Sequence, residues 1–181
     1  MRVLSREEQA RFVSYLLEDM DTCKFGVLLA LFTGVRIGEL CALQWGKISL
    51  KEQTIRIDAT LQRLRDTSAV GSARTRIVIS THKSDTSVRT IPVTDYTAEL
   101  CGKMAPHSSA AYVLTGTDSF MEPRALQYRM EKYTRKCGLE GVHFHTLRHT
   151  FATRAVEVGF EIKSLSEVLG HSPACGQAAS G

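Results

Sequence analysis

The stretch HFHTLRHTFATR, residues 143–154, decides how the rest of the chain is read. In it His145, Arg148 and His149 stand at i, i+3 and i+4, so in a helix they point to one side, near that helix's start. Helix N-termini favour anions, and an arginine with a histidine beside it makes a phosphate site there. The same positions also fit a packed His149 and an Arg148 engaged in a surface ion pair, and the residues alone leave both readings open. A zinc site on His143, His145 and His149 is a more distant alternative, because no cysteine or carboxylate lies nearby at a typical spacing and H-E-x-x-H is absent.

Working outward, apolar periodicity predicts helices on both sides of a short β-rich middle. SREEQARFVSYLLEDM opens with Ser5 and Glu8 in a capping-box pattern and places Phe12, Leu16 and Leu17 on one face. CKFGVLLALFTG is apolar nearly all round, which predicts a buried helix stopping at Gly34. RIGELCALQW predicts a short helix presenting Ile37, Leu40, Leu43 and Trp45 to a core. After Trp45 the pattern alternates: TIRIDATL, TRIVIST and SVRTIPV predict one small antiparallel sheet, with RLRDTSAVGSAR as a long connection between its first two strands. Helical periodicity returns in DYTAELCGKM, EPRALQYRMEKYTRKCG, TLRHTFATRAVEVG and EIKSLSEVLG. The fold class expected is α+β, mainly α-helical with one small antiparallel sheet.

Two further motifs carry reactive side chains. In TGVRIGEL, Arg36 follows a tight Thr-Gly turn and Glu39 sits three residues on, placed to hold or orient a cation. An arginine at the end of a buried helix is costly unless it is paired or meets an anion. In HKSDTSVRTIPV, Lys83 stands at a hairpin tip, where a lysine either guards a sheet edge or reaches a reaction centre as a proton donor.

Composition sets the broad class. A chain of 181 residues suits one domain, and no apolar run approaches the roughly 20 residues that cross a bilayer. The N-terminus lacks the apolar core of a secretory signal, so a cytoplasmic location and no membrane partner are expected. Five scattered cysteines contain no C-x-x-C pair, which argues against a disulfide framework or a zinc knuckle. The net charge of +4 is modest but segregated. Residues 61–90 hold six basic side chains (Arg63, Arg65, Arg74, Arg76, Lys83 and Arg89) against two acidic ones, and residues 121–154 hold seven against three. Brought to one face, these segments form an electrostatic footprint for nucleic acid; otherwise they are mixed surface charge.

TGVRIGEL, KSDTSVRTIP, HTLRHTFAT and LGH, in that order and at these separations, resemble the catalytic domain of the tyrosine recombinases, the phage-integrase family that includes transposon integrases and the Xer proteins. The resemblance implies that domain's fold over residues 1–172, and a function in site-specific DNA recombination and integration through a 3′-phosphotyrosine intermediate, here for a mobile element. It implies that Arg36 and Arg148 clamp the scissile phosphate and that Lys83 is the general acid toward the leaving 5′ hydroxyl. His145 is then the proton acceptor for the nucleophile and His171 a phosphate ligand, with Glu39 in support; His149 is counted with them as a supporting residue. Arg63, Arg65, Arg74, Arg76 and Arg89 are expected as DNA-backbone contacts. The implied partners are double-stranded DNA and, in the family, other protomers in a tetrameric synapse. Fixed cations suffice for the chemistry, so no metal and no cofactor is expected.

One departure matters. In the family a tyrosine follows the L-G-H histidine by about nine residues on a helix; here the corresponding stretch is SPACGQAASG, with Ser180 where a tyrosine is expected. The five tyrosines, Tyr15, Tyr96, Tyr112, Tyr128 and Tyr133, all precede the H-x-x-R motif. Residues 173–181 therefore read as an atypical tail without a nucleophile, and the family's N-terminal core-binding domain has no counterpart. The expectation is a monomeric chain unable to cleave DNA, with a non-catalytic DNA-binding or regulatory module derived from an integrase as the alternative.

Overall fold

A computed structural model describes residues 2–65, 75–81 and 88–170. Helix α1 (Arg6–Leu17) begins on the predicted capping box: the Ser5 hydroxyl accepts from the Glu8 amide at 3.1 Å, and the Glu8 carboxylate accepts from the Ser5 amide at 2.8 Å. It buries Phe12 and Leu16, each contributing about 1.5–3 kcal/mol. Leu17, expected on the same face, is exposed. Helix α2 (Thr22–Thr33) starts on Asp21, whose carboxylate accepts from the Lys24 amide, and is the central element, packed by α1, α4, α5 and α6. It stops at Gly34, whose φ of 68° lies in the left-handed region that a side chain disfavours.

Helix α3 (Ile37–Ala42) follows, then a 3₁₀ turn at Trp45–Lys47 and the strands β1 (Ile48–Ser49), β2 (Thr54–Ile57), β3 (Ala59–Arg65), β4 (Thr75–Thr81) and β5 (Arg89–Pro92). Among the described residues these form two sheets where the alternation predicted one. The order β1-β2-β5 makes a three-stranded antiparallel sheet, in which Ile55 opposes Ile91 and Ile57 opposes Arg89. Strands β3 and β4 form a separate antiparallel pair, from Ala59–Thr81 to Arg65–Thr75. The stretch TIRIDATL thus divides at Asp58, which takes the Lys47 ammonium at 2.6 Å, and the predicted long connection is shorter because β3 runs on to Arg65.

Helices α4 (Asp95–Met104), α5 (Pro123–Lys136), α6 (Phe144–Glu157) and α7 (Ile162–Leu169) follow. The side chain of Thr150 on α6 anchors the N-terminus, accepting from the buried Leu4 amide at 3.0 Å while donating to the Thr146 carbonyl at 2.7 Å. Helix α7 buries only Leu165 and Leu169, in a small cluster with Ala155, Phe151 and Ala152 of α6. It ends at Gly170, again left-handed at φ 66°. Among the described residues no helix is long and apolar enough to cross a membrane.

Candidate active site

Three arginines from three elements meet the last carbonyls of α7. Arg89 Nε donates to the Val168 carbonyl at 2.7 Å, an Arg148 Nη donates to the Leu169 carbonyl at 2.5 Å, and an Arg36 Nη donates to the Gly170 carbonyl at 3.2 Å. The C-terminal end of a helix carries partial negative charge and exposed acceptors, so it is a natural seat for cations. Arg148 also donates to the Gly34 carbonyl at 2.7 Å, which joins α6 to the turn that presents Arg36.

That turn is built from glycine. A Cβ on Gly34 would stand 2.7 Å from Phe151 Cδ1 and 2.8 Å from Leu169 Cδ2. On Gly170 it would meet Arg89 Nη1 at 2.9 Å. Both glycines thus allow a left-handed cap and a close approach at once. Arg36 is the residue that caps the start of α3, which places its backbone amide and guanidinium on the same carboxylate three residues on.

Glu39 is the centre of the cluster. It is 2% exposed and accepts four hydrogen bonds. Oε1 takes Arg36 Nη1 at 3.0 Å and Arg89 Nη1 at 2.8 Å; Oε2 takes the Arg36 amide at 2.9 Å and Arg89 Nη2 at 2.7 Å. Burial is the largest influence on its carboxyl and would raise it, but the hydrogen bonds and charge of Arg89, then of Arg36, outweigh burial and hold it below the ordinary value. Arg148 is brought down to about 10, by burial first and then by the like charge of Arg36, with Glu39 opposing and Arg89 adding to the fall. It still carries its proton at neutral pH. Among the described residues three guanidinium groups therefore share this site with one carboxylate, and the excess positive charge suits an anion. Arg36 is the outlet: its side chain is 39% exposed, against 9% for Arg89.

The structure brings together Arg36, Glu39 and Arg148 as the motifs suggested. His145 is exposed in the first turn of α6, one turn before Arg148, and its ring lies 6.0 Å from that of His149. His149 is half-buried, and burial, then the charges of His145 and Arg148, lower its pKa, so it stands neutral at pH 7. Lys83, His171 and Arg74 lie outside the described residues. Arg65 ends β3; Arg76 is exposed on β4; exposed Arg63 pairs with Glu122 at 3.0 Å. Arg89, expected as a DNA-backbone contact, pairs with Glu39 at 2.7 Å with its side chain 9% exposed, because on β5 it shares a face with the core residue Ile91. A charged residue at an inward position of an alternating strand was the available signal. The three α7 carbonyls carried none. Among the described residues no group of three or more His, Cys, Asp or Glu could hold a metal ion.

A model of the phage integrase family matches residues 2–174, and the chain belongs to that family. It is 26% identical over 164 residues to a XerC-like tyrosine recombinase of Caldanaerobacter subterraneus subsp. tengcongensis, covering 80% of this chain and 41% of the relative. It is 29% identical over 177 residues to the tyrosine recombinase XerA of Thermococcus kodakarensis, covering 94% of this chain and 54% of the relative. The chain thus spans about half the length of these relatives. Its fold matches the Tn1549 transposon integrase in complex with transposon right end DNA, at a TM-score of 0.72 and 22% identity over 94% of this chain and 58% of that one. It matches the XerA recombinase crystal structure at 0.67 and 22% identity, over 95% of this chain and 57% of that one. The mainly helical α+β architecture with small antiparallel sheets is that of a tyrosine recombinase catalytic domain.

Proposed function

We propose that these residues are the catalytic portion of a mobile-element recombinase, and that the arginine cluster grips the scissile phosphate of double-stranded DNA. The observation that carries this reading is the excess of pre-positioned guanidinium charge around Glu39 and the end of α7. Transfer of a phosphodiester gathers negative charge on its equatorial oxygens, and cations already held in place by protein acceptors need little reorganisation to meet it. On this reading Arg36 and Arg148 take the non-bridging oxygens and His171 adds a hydrogen bond. His145 accepts the proton of an attacking tyrosine as its oxygen bonds to phosphorus. Lys83 returns a proton to the 5′ oxygen as the phosphorus–oxygen bond breaks. The phosphotyrosine so formed keeps the energy of the broken bond for rejoining. The likeness to a transposon integrase supports the mobile-element setting, and a tetrameric synapse is the assembly in which the full reaction would run.

All five tyrosines lie at or before Tyr133, so these 181 residues supply the cationic half of the reaction without the nucleophile. These 181 residues are accordingly proposed to bind DNA without cutting it. The same tyrosine distribution favours a second reading, a non-catalytic DNA-binding or regulatory module. Binding to a mixed-sequence duplex, followed by fluorescence anisotropy between about 50 and 200 mM salt, should weaken steeply, with a log–log slope of about −0.9 for each phosphate neutralised. Arg36→Ala should lower both affinity and slope. Incubation with a nicked duplex of randomised sequence should leave no covalent adduct on a denaturing gel. Salt-independent binding, or no effect of Arg36→Ala, would overturn the phosphate assignment; an adduct would overturn the claim of cleavage-incompetence.

A further inference from the structure

We propose that Arg89 is a positioning residue of the phosphate site, acting through Glu39 to keep the Arg36 guanidinium available to an anion; this rests on the reading of the cluster as a phosphate site. Arg89 sits where three elements meet. It extends from β5, forks onto both oxygens of Glu39 in α3 at 2.8 and 2.7 Å, and donates to Val168 at the end of α7 at 2.7 Å. Its Nε and both terminal nitrogens are engaged with protein acceptors and its side chain is 9% exposed, so its role is not to touch DNA.

Consider what Glu39 does without it. The carboxylate is 2% exposed, so water does not replace the lost donors. Its remaining partner is Arg36, which now reaches one oxygen with Nη1 and the other with its backbone amide. Carboxylates prefer two parallel bonds from one guanidinium. The oxygen left with only the uncharged backbone amide therefore draws Arg36 into a charged fork on Glu39, away from the Gly170 carbonyl and from the 39%-exposed position where it meets an anion. Arg89 satisfies both oxygens first and leaves Arg36 only one side-chain bond to Glu39. In this scheme the buried pair Arg89–Glu39 is a fixed anvil, and Arg36 is the arm it holds out. The packing agrees, because Gly170 lies directly against the Arg89 side chain, with room for no Cβ.

A double-mutant cycle separates this role from simple support of the fold. The 181-residue chain is titrated with inorganic phosphate, and the arginine Nε–Hε resonance of Arg36 reports binding. Arg89→Met is expected to weaken phosphate affinity about tenfold and to shift the Arg36 resonance before any phosphate is added. In the Glu39→Gln background the same Arg89→Met change is expected to weaken it less than about threefold, since no carboxylate remains to capture Arg36. Loss of a distant positive charge or general loosening would act equally in both backgrounds, and equal losses overturn the proposal. Should Arg89→Met fail to fold, Arg89→Lys, which retains the charge but not the fork, enters the same cycle with the same two outcomes. A wild-type chain that takes up no phosphate overturns the phosphate-site reading itself, whereas uptake with equal losses overturns only the role of Arg89.

Discussion

Replacing Glu39 with glutamine tests the architecture of the whole cluster. The side chain keeps its shape, but one oxygen becomes an amide that points donors at donors. Glu39 accepts four hydrogen bonds while 2% exposed, so Glu39→Gln leaves the mostly buried Arg89 charge without its counter-ion and removes the carboxylate that both Arg36 and Arg89 share. Breaking a buried ion pair from one side costs about 3–5 kcal/mol. For a domain of this size that corresponds to a fall in Tm of about 6–20 °C. The pH dependence provides an independent signature. The Glu39 carboxyl is held below its ordinary value of 4.5, so the stability it contributes is fully present above that value and is lost as pH falls through the lower folded value. Urea titrations from neutral pH down into the acid range should therefore show wild type losing its advantage over Glu39→Gln below about pH 4.5. A destabilisation under about 1 kcal/mol at neutral pH, or parallel acid profiles, would refute the placement of Glu39 at the centre of a buried cationic cluster.

Two other perturbations follow from the geometry. Gly34→Ala forces a side chain into a left-handed position and against Phe151 and Leu169, so chemical denaturation should report a loss of about 2–5 kcal/mol, from backbone strain plus overpacking. Cys23, Cys41, Cys101 and Cys137 are buried and burial raises their thiols, to about 12 for Cys41 and about 11 for Cys101; mass-spectrometric mapping should find these four unlabelled by a thiol reagent at neutral pH until denaturant is added.

The helices were legible because their ends carry local chemistry. Ser5 with Glu8, Gly34 and Gly170 mark boundaries whatever the rest of the chain does. The division of the β-rich stretch was not legible, because alternation runs unbroken through TIRIDATL while the chain leaves one sheet for another at Asp58. The site divides the same way. Arg36 and Glu39 are three residues apart and share a capping geometry, so their pairing follows from the helix between them. Arg148 was visible from its place beside His145 and His149. The pairing of Arg89 was not legible because its partners lie 50 residues away in Glu39 and 79 residues away in Val168, and nothing local marks an inward-facing arginine except the parity it shares with Ile91.

The three carbonyls at the end of α7 also set a timetable. The bond from Arg36 to Gly170 closes a separation of 134 residues, and that from Arg148 to Gly34 closes 114. Contacts that distant form late, after the local helices and the core around α2 have reduced the entropy of closing such loops. During synthesis the chain emerges N-terminus first, and Arg36, Arg89 and Arg148 are all complete well before Gly170 leaves the ribosome. Until then none of the three has its acceptor on α7. A nascent chain can therefore gather Arg36 and Arg89 on Glu39 and Arg148 on the Gly34 carbonyl first, and the cluster is locked in place only when the α7 carbonyls reach all three arginines.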